Sequence, residues 1–123
     1  MIYLLYGSDT YRSRQKLNEI IGRYREKNGQ DAPVYRVDLE ENGISEIKKN
    51  LETRSLFSAQ RMLVAEHPLS AGSDNQELYA ALSAAYKSDT VLLWDRELPE
   101  GSEERLAKIK PICEKIQAFA SLS

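Results

Sequence analysis

Gly7-Ser8-Asp9-Thr10-Tyr11-Arg12-Ser13-Arg14 is the first stretch of the chain whose residue types and spacing suggest chemistry. It follows the apolar run Ile2–Tyr6 and opens a helical pattern, the setting in which a glycine-rich turn cradles phosphate. A phosphate loop of the form GxxxxGK[ST] needs glycine so that the backbone can wrap the phosphates, and lysine to reach the terminal ones. Counted from Gly7, Arg12 stands at the second glycine, Ser13 at the lysine and Arg14 at the hydroxyl residue. The shape of such a loop can persist here, but its chemistry cannot, and nucleotide hydrolysis is not expected. A helix N-terminus with two arginines retains only a general attraction for anions.

Val91-Leu92-Leu93-Trp94-Asp95-Arg96-Glu97 ends an apolar strand in acid, as strands that hold magnesium do in nucleotide hydrolases. Without the phosphate-loop lysine to share the phosphate, Asp95 and Glu97 read as the charged end of a buried strand, and no metal or cofactor is expected. Asp9, Glu66 and Asp95 also suggest a phospho-acceptor receiver. The first strand, however, lacks an acidic pair after it, the third ends in Glu66 rather than Asp, and Lys115 is poorly placed. His67 is the only histidine and precedes Pro68, so it reads as a loop residue with no metal cluster or triad around it. Trp94 and Cys113 read as core residues, and Cys113 has no partner for nucleophilic catalysis.

Thr53-Arg54-Ser55-Leu56-Phe57-Ser58-Ala59-Gln60-Arg61 sets two large apolar residues side by side among small polar and basic ones. On a helix or tight turn both cannot point into the same core. The pair is either an exposed apolar anchor or is buried against the sheet.

The elements that must position these residues follow from the rhythm of the sequence. Strands are expected at Ile2–Tyr6, Val34–Asp38, Met62–Glu66, Val91–Asp95 and Ala118–Leu122. Ile2–Tyr6, Met62–Ala65 and Val91–Trp94 are continuously apolar, as central strands covered on both faces should be, whereas Arg36 places Val34–Asp38 at an edge. Leu17, Ile20, Ile21 and Tyr24 form one stripe of a helix over about Tyr11–Lys27, capped by Asp9 or Thr10 and stopped by Asn28-Gly29. Ile44, Ile47 and Leu51 mark a shorter helix. A third spans about Asn75–Tyr86 with Leu78, Leu82 and Ala85 inward. A fourth begins near Ser102, faces Leu106 and Ile109 inward, and is interrupted at Pro111. Leu69–Asp74 reads as a flexible loop. The fold class is α/β: a three-layer sandwich around a mainly parallel five-stranded sheet with right-handed crossovers.

Composition bounds the rest. The 123 residues make one domain, 1–123, and 17 Lys+Arg against 19 Asp+Glu give a net charge of −2, which does not favour strong unaided binding to nucleic acid or anionic lipid. Arg12, Arg14, Arg23 and Arg25 are the densest basic cluster but are spread around a helix. One cysteine excludes an internal disulfide and points to a reducing, cytoplasmic setting. Apolar runs of four or five residues are too short to span a membrane, and the N-terminus lacks the flanks of a signal peptide.

With these residues in place, the chain resembles the N-terminal domain of the delta subunit of bacterial DNA polymerase III, the clamp-opening member of the clamp loader. The resemblance runs over essentially all 123 residues. It rests on Tyr3-Leu4-Leu5-Tyr6-Gly7-Ser8-Asp9-Thr10-Tyr11, on Ser55-Leu56-Phe57-Ser58 followed by Arg61 and the strand Met62–Glu66, and on Asp89-Thr90-Val91-Leu92-Leu93-Trp94. It implies a P-loop NTPase or AAA+-like fold whose nucleotide site is degenerate, with no catalytic site of its own, inside the DNA-directed DNA polymerase III holoenzyme. Its implied partners are the ring-shaped sliding clamp (beta subunit) and the other clamp-loader subunits, with DNA contacted only in the assembled loader. Leu56 and Phe57, flanked by Ser55 and Arg54, match the family's hydrophobic wedge. Arg54 departs from it, because the best-known members carry a further apolar residue there, so a smaller contact is implied. The family also continues into a small helical domain and a collar domain. The alternative from another class is a divergent P-loop nucleotide-binding or hydrolysing protein, which measurable ATP turnover would favour.

Overall fold

The short apolar runs pair into one sheet in the computed structural model, which describes residues 1–40, 49, 62–69, 76–83, 90–96 and 103–119. The strands are β1 (Ile2–Tyr6), β2 (Val34–Asp38), β3 (Met62–Glu66), β4 (Thr90–Asp95) and β5 (Lys115–Ala118), in the order β2-β3-β4-β1-β5. All four neighbouring pairs are parallel. The three continuously apolar runs are the central strands, and β2, with its arginine, lies at an edge.

Because successive side chains of a strand point to opposite faces, each central strand feeds two cores. Ile2, Leu4 and Tyr6, with Leu63, Ala65, Val91 and Leu93, meet Leu82 and Ile109 on one face. Leu5, Met62, Val64, Leu92 and Trp94 meet Leu17, Ile20, Ile21 and Tyr24 on the other. The helices supplying those partners are α1 (Thr10–Asn28), α2 (Gln76–Ser83) and α3 (Glu103–Ile109), so the three-layer arrangement stands. Asp9 caps α1 by accepting from the Arg12 amide at 3.1 Å, and Gly29 ends it with its N–H on Arg25 O at 2.8 Å. Pro111 converts the end of α3 into a 3-10 turn, Lys110–Ile112. The stripe Ile44, Ile47, Leu51, the segment Thr53–Arg61, the side chain of Leu78, Ala85, residues 70–74 and Glu97 lie outside the described residues.

One strand differs from the sequence expectation. The fifth is Lys115–Ala118, not Ala118–Leu122, and all four of its residues are exposed. Its place is set by register, since Tyr3–Tyr6 pair with Lys115–Ala118, and not by hydropathy. An edge strand need not be apolar. Phe119, one residue beyond, is buried on the α1 face.

Phe119 is also where the chain leaves the sheet and crosses the start of the β1–α1 turn. Its N–H donates to Tyr6 O at 2.8 Å, and its carbonyl accepts from Asp9 N at 3.2 Å. Gly7 between them has φ +130°, and a Cβ there would lie 1.9 Å from Phe119 O. Only glycine fits both the conformation and the space. Gly7→Ala is expected to cost about 3 kcal/mol or more and to lower the melting temperature by roughly 10 °C or more, read by thermal denaturation.

Candidate functional site

In open parallel sheets, ligands bind where adjacent strands send their connections to opposite faces, beyond the carboxyl ends of the strands. Here that crevice lies between β1, whose connection carries α1, and β4, whose connection carries α3 on the other face. Gly7 N donates to Asp95 O at 3.2 Å across it.

Four amides of the turn at this crevice are engaged by the protein itself. The Gly7 amide is held by Asp95 O, the Asp9 amide by Phe119 O, the Thr10 amide by Ser8 O and the Arg12 amide by the Asp9 carboxylate. A phosphate loop offers such amides to its ligand. Ser13, at the lysine position, is fully buried on the stripe that continues to Leu17, and its hydroxyl accepts the Trp94 indole N–H at 3.0 Å while donating to Thr10 O at 3.3 Å. A buried tryptophan needs a partner for its N–H, and Ser13 supplies it.

The arginines are similarly occupied. Arg12 lies 5.9 Å from the centre of the Phe119 ring and 3.9 Å from the Asp9 carboxylate. Arg14 and Arg96 cover the Trp94 ring at 5.7 and 4.7 Å. Their guanidinium groups act as lids on aromatic faces. Asp95 is fully buried at the end of β4, and its carboxylate accepts the Leu69 amide at 2.8 Å, while Arg105 donates to the Leu69 carbonyl at 2.8 Å. The acid that could have held a metal thus anchors the segment leaving β3. Cys113 is half-buried beside the α3 core, and burial pushes its thiol up to about 11, which keeps it an unreactive thiol.

The reading of His67 as an isolated loop residue needs correction. The β2–β3 register sets Asp38 against Glu66, and the His67 Nδ1 lies 2.9 Å from Asp38 Oδ1. Asp38, Glu66 and His67 offer three donor atoms within 4.8 Å of one another, a set that a divalent cation can use. The carboxylates already have protein partners: Asp38 Oδ1 accepts the Glu40 amide at 2.9 Å, and Arg96 stands 4.0 Å from Glu66. His67 has φ +63°, a strained setting for a residue before proline, fixed in part by its N–H on Trp94 O at 3.0 Å. No sequence spacing announces this trio, because the sheet ladder alone brings residue 38 beside 66 and 67. The Trp94–Ser13 bond was equally hidden, although a serine on an apolar helical stripe is a usable signal for a buried partner.

Strand order, connections to both faces and the two-sided core together define an open, all-parallel five-stranded α/β domain. The sequence model for the delta subunit of DNA polymerase III matches residues 3–106, and the chain belongs to that family. Among solved structures it is similar to the Bacillus subtilis DNA clamp loader delta protein YqeN, at 20% identity and a TM-score of 0.67, over 99% of this chain and 39% of that one. The chain therefore spans about two fifths of the length of YqeN. No curated protein matches it. No helix among the described residues is long and apolar enough to cross a membrane.

Three outcomes are expected. Ser13→Ala, which leaves the Trp94 N–H unpaired in the core, costs about 1–3 kcal/mol in chemical denaturation. Ser13→Lys does not create ATP turnover in a phosphate-release assay with magnesium, since the new ammonium would enter the buried stripe and Arg12 still occupies the glycine position. His67 supplies a pH dependence. Burial pulls its pKa down, but the hydrogen bond to Asp38 and the charges of Asp38, Glu40 and Asp95 outweigh this and raise it above 6.5. The stabilisation is therefore complete below the unfolded value and is lost as pH rises through the raised one. An NMR titration of the His67 ring should give a pKa above 6.5 that falls in Asp38→Asn.

Proposed function

We propose that the chain is the clamp-contacting N-terminal domain of a clamp-loader delta subunit, which binds the sliding clamp and helps open it during DNA replication while hydrolysing no ATP itself. The observation that carries this reading is a family match over residues 3–106 on a domain whose phosphate turn is spent on internal hydrogen bonds. The similar YqeN is a DNA clamp loader delta protein. In this reading the α/β core is a rigid scaffold, ATP-binding partner subunits of the loader regulate when the clamp is engaged, and DNA is touched only within the assembled loader. The setting is the cytoplasm.

The clamp contact is assigned to Leu56 and Phe57, flanked by Ser55 and Arg54, in a segment outside the described residues. Moving each apolar side chain from water into a pocket is worth roughly 1.5–3 kcal/mol, or about 3–6 for the pair. Leu56→Ala with Phe57→Ala should weaken clamp binding by about two to four decades in a titration, at ~1.4 kcal/mol per decade. The melting temperature should stay nearly unchanged, because exposed truncations usually alter stability by less than ~0.5 kcal/mol. A collapsed melt or unaltered clamp affinity would defeat the assignment. Arg54→Met should strengthen the contact if Arg54 lies on the wedge.

A further inference from the structure

The sheet has a second opening at its other rim, distant from the Gly7 turn. A cavity of about 610 Å³ lies between the later turns of α1 and the amino-terminal ends of β1, β3, β4 and β5. That volume falls within the range of sites that hold small molecules, roughly 300–1,000 Å³. Its floor is apolar: Leu5, Ile20 and Met62, all buried. Its rim is cationic. Lys16, Arg23 and Lys27 recur with Ile20 along one stripe of α1, and Lys115 of β5 adds a fourth cation from the sheet. Among the described residues no carboxylate lines the cavity.

The charges differ in availability. Glu19, on α1 beside the cavity, already pairs with Lys16 and Arg23. Lys27 and Lys115 have no carboxylate partner among the described residues, and the Lys115 ammonium stands 5.9 Å from the centre of the Tyr3 ring, which also lines the cavity. An apolar, partly aromatic chamber with two cations at its mouth that no described carboxylate neutralises is complementary to one kind of ligand. We propose that this cavity binds a small organic anion: an apolar or aromatic body that enters between Tyr3 and the Leu5–Ile20–Met62 floor, with an acidic head that meets Lys27 and Lys115. The body gains by leaving water, and the head gains charge-assisted hydrogen bonds that a neutral molecule lacks. The site is independent of the clamp contact, so neither assignment stands or falls with the other.

The test is a fluorescence titration of the full chain with 8-anilino-1-naphthalenesulfonate, beside its uncharged analogue N-phenyl-1-naphthylamine. Saturable binding of one sulfonate per chain is expected, with the neutral analogue bound at least about tenfold more weakly. Lys27→Glu with Lys115→Glu should weaken sulfonate binding by about tenfold or more. Lys108→Glu with Lys110→Glu, both exposed and on the α3 side of the sheet, should leave it within about twofold. If the first double reversal lowers the melting temperature, Lys27→Gln with Lys115→Gln carries the same expectation. Displacement of the probe by adenosine 5′-monophosphate assigns the site to phosphate monoesters that carry an aromatic base, and displacement by dodecanoate assigns it to long-chain alkyl carboxylates. Non-saturable binding, equal weakening by both pairs of reversals, equal affinity for the uncharged analogue, or displacement by neither competitor would overturn the proposal.

Discussion

The close approach of two backbone segments at Gly7 is the constraint on which the carboxyl end of this sheet depends. Phe119 donates to Tyr6 and accepts from Asp9, so the chain leaving β5 is laced to both sides of the turn leaving β1. The space between has no room for a Cβ. These bonds tie an exposed edge strand to the buried centre of the sheet and fix the direction in which α1 starts. Once α1 is aimed, its stripe from Ser13 to Tyr24 falls on Leu5, Met62, Leu92 and Trp94, and one face of the core is determined.

The same lacing engages the amides at the start of α1 within the protein. An anion is held by amides that have no other partner. In this turn they are closed by Asp95, Phe119, Ser8 and Asp9. The lysine position is filled by a buried hydroxyl that satisfies Trp94, and the nearby arginines lie against aromatic rings. Rigidity at the crevice is the physical result.

Polar groups at the ends of β2, β3 and β4 continue this pattern. Asp95 and Arg105 bracket the backbone of Leu69 from both sides, and Asp38 holds the His67 ring while Trp94 O holds its backbone N–H. In a low-dielectric rim such bonds are costly to leave unmade, so they specify how the loops depart. The opposite rim is built differently. There, among the described residues, an apolar floor meets a cationic mouth in which Glu19 pairs with Lys16 and Arg23.

The sequence by itself determined the elements that carry their own signal. Continuous apolar runs marked β1, β3 and β4 as central, Arg36 marked β2 as an edge, the stripe Leu17–Tyr24 set α1, and Asp9, Gly29 and Pro111 marked where helices start, stop and tighten. The departure of Arg12 and Ser13 from the phosphate-loop pattern was equally plain, because it is a matter of residue identities at fixed spacing. Tertiary structure decided what depends on neighbours distant in the chain. Lys115–Ala118 is a strand because β1 offers it a register, whereas its four exposed residues give hydropathy nothing to read. Ser13 and Trp94 meet across 81 positions, and Asp38 and His67 across 29, because a parallel sheet aligns the ends of strands that the sequence keeps apart. Local pattern records which face of an element is apolar, and only the closed fold records which polar groups must then satisfy one another.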